Sequence, residues 1–163
     1  MAFTFADLDK LDSGARFFTA DLHIHSYGGS SDITDQGLTV EAIVDAAAAA
    51  NVGLLSVTDH NNDKHVLRSV DYGSKYADRL LVLPGVEITT AHGHLLVYGD
   101  PAKPDAIASL LALIGLQGPK GSRDSHTTKS MADVIATADS LGLLSVAAHI
   151  DRLKTGFEML ADG

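Results

Sequence analysis

Eight histidines and no cysteine stand in a chain of 163 residues. Any metal held here must be held by imidazole and carboxylate, and a thiol nucleophile, a zinc ribbon and a disulfide scaffold are excluded. The densest cluster is Asp21-Leu22-His23-Ile24-His25. Residues two apart on a strand share a face, so His23 and His25 can grip one metal ion while Leu22 and Ile24 face the other way. Asp21 falls on the histidine face by the same count, placed to accept the free N–H of an imidazole. Further along come Thr58-Asp59-His60, then Gly85-Val86-Glu87, then His94 ahead of an apolar run, then Ala148-His149. A single histidine at a strand end is more often structural, but four apolar strands ending in metal-competent residues reverse that balance. In barrels of parallel strands, side chains at the C-terminal strand ends converge on one point.

The elements that must position these residues alternate. Strands are predicted over 17–26, 53–60, 80–89 and 143–151, with a short segment over 94–99. Thr39 caps a helix over 40–50 that stops before Gly53, a polar helix covers 63–77, and Pro104 opens a helix to about 114. Ser130 and Asp133 form a capping box for a helix ending at Gly142. A turn over 156–160 begins a further helix. The loop 28–31 is glycine- and serine-rich, and 115–129 reads as a mobile loop in which Gly118-Pro119-Lys120-Gly121-Ser122-Arg123 could fold over a phosphate but reads rather as a flexible connection. Strands alternating with helices predict one α/β domain with parallel pairing.

The net charge is −9, from 12 basic and 21 acidic residues. That argues against a wide basic footprint for nucleic acid, though not against a small charged pocket. No apolar run reaches the roughly 18 residues of a membrane-spanning helix. The first residues lack the pattern of a signal peptide, so a cytoplasmic, reducing setting is expected.

In order and strand context, Asp-Leu-His-Ile-His followed by Ser31-Asp32, Thr58-Asp59-His60, Gly85-Val86-Glu87, His94-Leu-Leu and Ala148-His149 resembles the polymerase and histidinol phosphatase (PHP) family, over about residues 18–152. The resemblance implies a distorted (β/α)7 barrel holding up to three divalent ions (Zn, Mn, Fe or Mg). It makes His23 and His25 ligands of a first metal, Glu87 the bridge between the first and second, His94 and His149 ligands of the second, and Asp32 and His60 ligands of a third. Tyr27-Gly28-Gly29-Ser30 is slightly long for the family spacing before Asp32. His94 is preferred to His92 because it directly precedes the apolar run. The family's late Asp-x-His pair has no counterpart after His149, and only about four barrel strands are covered. The expectation is therefore the N-terminal portion of a longer barrel or protein, or a shortened barrel; a C-terminal ATPase-like region fits the flanks of His94 and His149.

The expected activity is hydrolysis of a phosphomonoester, a nucleotide or a nucleic-acid end by a metal-bound hydroxide, with Glu87, Asp59 and Arg152 as catalytic residues and no membrane partner. Arg152 and Lys154 follow the His149 strand and so lie near the metal mouth. His65 and His126 are expected at the surface. The alternatives are a non-catalytic module that binds a nucleotide or metal for a larger ATPase-like protein, and an amidohydrolase-type hydrolase.

Overall fold

The computed structural model describes residues 17–152, 155 and 156. Residues 1–16, Lys154 and the expected turn beyond Gly156 lie outside them. In chain order the elements are β1 (Ala20–Ile24), α1 (Val40–Ala49), β2 (Leu54–Val57), α2 (Val66–Gly73), β3 (Leu81–Val82), β4 (Gly85–Thr90), β5 (Gly93–Tyr98), α3 (Asp105–Ile114), β6 (Leu116–Gln117), β7 (His126–Thr127), α4 (Met131–Ser140) and β8 (Leu144–Ala147).

β1, β2 and β3 pair in that order and all in parallel. Thr39 caps α1 by accepting the Ala42 N–H. The helix then turns Val40, Ile43, Val44, Ala47 and Ala48 onto Leu55, Val57 and Val82. Alanines on that stripe let the helix lie close to the sheet, which explains the alanine run without a functional role.

The expected strand 80–89 is one path broken in two. Pro84 lacks an N–H for the ladder. Around it Leu83 N–H still donates to Leu55 O, while the Leu83 carbonyl accepts from Ser56 Oγ. Beyond the break, β4 joins a second sheet of order β4-β5-β8, in which both pairings are antiparallel. Parallel pairing was expected throughout, and here it is corrected. The β4–β5 connection is only a tight turn, too short for the crossover that parallel strands need. Thr90 Oγ1 donates to Gly93 O at 2.8 Å, and Gly93 takes φ +119°.

Alternation sorts the second sheet. Val86, Ile88, Leu95 and Val97 face α3 and α4, where they bury Ile107, Leu110, Leu111, Ile114, Val134 and Ala138. The opposite face carries Glu87, His94, Leu96 and Tyr98; the last two pack with Ala148, Leu22 and Leu83. Tyr98 donates to Leu22 O at 2.7 Å, and burial with the nearby Glu87 charge pushes its phenol up to about 12.

The two sheets join at one edge. Thr58 N–H donates to Ile24 O, His60 bridges to Glu87 in parallel, and Asn61 N–H donates to Glu87 O at 2.8 Å. One curved surface therefore runs β1, the end of β2, β4, β5, β8.

The segment 115–129 differs from its expectation as a mobile loop. It holds the β6–β7 pair. It is also docked: Gly121 N–H donates to His60 O, Ser31 N–H to Gly121 O, and Asn61 Nδ2 to Ser125 O. Ser130 caps α4 as predicted, its Oγ accepting from Asp133 N–H. Among the described residues no helix is long and apolar enough to cross a membrane.

Candidate metal centre

Each strand of the curved surface brings a ligand to the same rim. His23 and His25 come from the end of β1, His60 follows β2, Glu87 stands in β4, and His149 follows β8. His94 is at the start of β5, because that strand runs the other way. Glu87 is fully buried at their centre. Its Oε1 lies 2.7 Å from His94 Nδ1 and 3.1 Å from His149 Nε2. Its Oε2 lies 2.8 Å from His25 Nε2 and 3.1 Å from both His23 Nε2 and His60 Nδ1. Asp32 Oδ2 sits 3.2 Å from His25 Nδ1 and 3.7 Å from His60 Nε2. Burial alone would raise the Glu87 carboxyl. The hydrogen bonds from His23, His25 and His94 and the His60 charge outweigh it and hold the group far below the carboxylate range.

Three groups of potential ligand atoms result, each within 4.8 Å: His23–Glu87–His149, His25–Asp32–His60 and His60–Glu87–His94. Metal bonds of about 2.0–2.2 Å to nitrogen and oxygen span separations of this order. The donors are imidazole and carboxylate, suited to zinc, manganese or iron. Among the described residues, buried Asp32 Oδ1 and His149 Nδ1 have no hydrogen-bond partner, and His60 Nδ1 makes no hydrogen bond although Glu87 Oε2 lies 3.1 Å away. Unpaired polar atoms are costly in the interior, and a divalent cation fits this set. The grouping differs from the pairing of His23 with His25 that the family resemblance implies: here His25 keeps company with Asp32 and His60.

The β1 register is also irregular. It shifts between Asp21 and Ile24, so simple alternation fails. Leu22 joins the inner cluster with Leu96 and Tyr98, while Ile24 packs towards α1. Asp21 lines a groove with Ile24, Leu38 and Ala42. It accepts only from His23 N–H, at 3.5 Å, rather than from an imidazole.

The ligand cluster lines a cavity of about 340 Å³ whose other walls are Arg123, Asp124, Arg152 and Thr155. Arg152 is where the sequence reading places it. Arg123 belongs to the loop read as a flexible connection with phosphate contact as the alternative, and it lines the cavity; Asp124 and Thr155 escaped that reading because they lie in loops. The lysine, arginine and glycines of 118–123 were the available signal. Among the described residues Thr155 Oγ1 is buried without a partner. The segment carrying it is pinned by His94 N–H donating to Thr155 O at 2.9 Å. His149 takes φ +26°, rare outside glycine, as the chain turns out of β8. Asp59, expected among the catalytic groups, does not line the cavity; its carboxylate points inward to Ser26 and Ser30. His65, expected at the surface, is buried beside it, whereas His126 is exposed.

No family model matches the chain, and no curated protein does. Solved structures do. The lesion-specific endonuclease Q of Pyrococcus furiosus superposes with a TM-score of 0.62 at 14% identity, over 85% of this chain and 36% of that one. The fold is PHP-like. A structure of endonuclease Q with a 27-mer duplex carrying an abasic lesion at its active site gives the same values. The PHP-like chain thus spans about a third of the length of those endonucleases. An amidohydrolase from Chromobacterium violaceum with bound sulfate is 31% identical over 59% of this chain and 33% of that one, at a TM-score of 0.45. A metal-dependent phosphoesterase from Bifidobacterium adolescentis, described as such only provisionally, is 20% identical over 60% and 33%, also at 0.45.

Proposed function

We propose that this chain is a metal-dependent hydrolase of phosphoester bonds. The observation that carries the reading is the set of three ligand groups sharing Glu87 and His60, facing a cavity with two arginines on its wall. His23, Glu87 and His149, His60, Glu87 and His94, and His25, Asp32 and His60 would hold the ions. When bound, divalent cations supply Lewis-acid charge and acidify water at neutral pH. The remaining work falls to the chain. Glu87 ties the ligand groups together by presenting one oxygen to His94 and His149 and the other to His23, His25 and His60. Arg123 and Arg152 bring positive charge to the oxygens of a phosphate. Thr155 Oγ1 offers a hydrogen bond that no described residue takes up.

The substrate is a compact phosphoester, either a phosphomonoester or a nucleotide. A cavity of this size in a chain of net charge −9 favours a small anion over a long one. Endonuclease Q takes a lesion-bearing duplex, which makes a nucleic-acid end the competing substrate. We read the curved sheet as part of a distorted (β/α)7 barrel in one domain, a reading the superposition on endonuclease Q supports. A cytoplasmic setting accords with the cysteine-free composition.

The test is phosphate release from phosphomonoesters, nucleotides, short oligonucleotides and an abasic duplex, with Mn²⁺ or Zn²⁺ added. Cation-dependent release is expected, fastest from the small esters, with Arg152→Ala raising KM. Cation uptake with no cleavage of any ester would favour the regulatory-module alternative, and cleavage of cyclic amides instead would favour the amidohydrolase alternative.

A further inference from the structure

Behind the ligands lies a polar group that the proposed chemistry does not use: Ser26, Ser30, Asp59 and His65, none more than 7% exposed. Burying a carboxylate is expensive unless its oxygens are hydrogen-bonded, and Asp59 is fully engaged. Its Oδ1 accepts from Ser26 N–H at 2.7 Å and from Ser30 Oγ at 3.1 Å; its Oδ2 accepts from Ser26 Oγ at 2.7 Å. Ser26 Oγ spends its one proton on Asp59, so His65 Nδ1, 2.7 Å away, must be the donor to that oxygen. Ser30 Oγ in turn accepts the His60 N–H at 2.9 Å.

These residue types make up a nucleophilic triad elsewhere, but the wiring differs. In a triad the histidine stands between serine and carboxylate. Here serine donates directly to the carboxylate and is wholly buried, so no substrate reaches it. What the network reaches is backbone. Ser26 follows His25, and His60 follows Asp59. One carboxylate therefore grips the main chain beside one ligand directly and the main chain of the other through Ser30. The loop closes tightly around it: a Cβ on Gly29 would stand 1.8 Å from Asp59 Oδ2.

We propose that Asp59 is a positioning residue that sets the separation of His25 and His60, and thereby governs cation affinity at the His25–Asp32–His60 group without touching the cavity. The inference rests on the metal-centre reading above. The His23–Glu87–His149 group contains neither of the two gripped residues and should be little affected.

The experiment uses the full chain, with Zn²⁺ titrated calorimetrically and stoichiometry checked by elemental analysis. Histidine ¹⁵N spectra report tautomers independently of any cation. The wild type should show His65 protonated at Nδ1. Asp59→Ala should weaken one class of site by about 10–100-fold, the range for groups that orient metal ligands, and leave the tightest class within about threefold. Asp59→Asn keeps an acceptor for Ser26 N–H and should rescue much of the loss. Its amide would donate to Ser26 Oγ and switch His65 to the Nε2–H form. Should Asp59→Ala fail to fold, Ser30→Ala, which cuts the link from Asp59 to the His60 N–H, carries the same expectation of selective loss. Equal loss at every class, or none, with wild-type uptake intact overturns the positioning role alone. A wild type that takes up no Zn²⁺ overturns the metal centre and this inference with it, while the His65 tautomer still reports whether the network exists.

Discussion

The parallel and antiparallel halves reach the same rim by different means. In the parallel half only His23 stands in a strand; His25 and His60 lie just past β1 and β2, where Asp59 accepts from Ser26 N–H and Ser30 Oγ, and Ser30 Oγ accepts from His60 N–H. In the antiparallel half the ladder itself does the placing. Glu87 pairs across to Leu96 and is bridged to His60, while the start of β5, with His94, lies against the chain leaving β8. Ligands in a ladder inherit the stiffness of the sheet and of the core behind it. Ligands in loops depend on a few polar contacts. Polar substitutions should therefore damage one half selectively, and core substitutions the other.

Glu87→Ala should have the largest effect, because both oxygens face the imidazoles and two of the three ligand groups contain it. Activity should fall by more than about 100-fold, the upper end for groups that merely orient ligands. Zn²⁺ uptake should drop to the His25–Asp32–His60 group. Asp32→Ala should do the reverse, emptying that group alone; elemental analysis of both variants settles the contrast.

Leu110→Ala, in the fully buried core behind the antiparallel sheet, should cost about 2–5 kcal/mol in denaturant unfolding. Its ester kinetics while folded should stay near wild type. Selective loss of cation affinity at the His25 group in this variant would break the comparison.

The acid side sharpens it further. Burial opposes a proton on His25, but the Glu87 hydrogen bond and the charges of Glu87 and Asp32 win, and its pKa is raised. That contribution to the cation-free fold is complete below the ordinary value of about 6.5 and fades as pH rises through the folded value. Burial, with His25 and His94 nearby, lowers His60, so protons compete less for it than for His25. Glu87 is ionised throughout and adds no slope. The rise in Tm on adding Zn²⁺ should thus grow from about pH 6 to pH 8. A flat difference would show that protons do not compete at His25.

The smallest effects belong to the helix caps. Thr39→Ala in the parallel half and Ser130→Ala in the antiparallel half should each cost about 0.5–2 kcal/mol and leave cation binding alone. Thermal melts of the two would show whether the halves unfold together.

Much of this was legible because residue type and strand position coincide. His23, His25, His60, Glu87, His94 and His149 stand beside apolar runs, whereas Asp32 was implied only by the family resemblance; the structure brings all seven to one cavity. The caps at Thr39 and Ser130 follow from local chemistry. Strand direction was not legible by alternation of elements, although Thr90-Ala91-His92-Gly93 carries a turn signal that argues for a hairpin. The shift in β1 hid the true side of Asp21, since a one-residue irregularity reverses every face after it. His65 looked like a surface residue because its partners, Ser26 and Asp59, are distant in sequence. Arg123 and Thr155 reach the cavity from loops, whose course no periodicity encodes.

The rim draws on chain positions from His23 to His149, which has a consequence for synthesis. A ribosome delivers the histidines of β1 long before Glu87 and longest before His149. Until β5 and β8 are paired, the emerging chain offers only the His-x-His stretch and the His25–Asp32–His60 group, without the partners of Glu87. Non-local pairing of this kind forms slowly. Cation loading at the whole rim would therefore have to wait for β5 and β8 to pair, and would follow folding rather than accompany synthesis of β1.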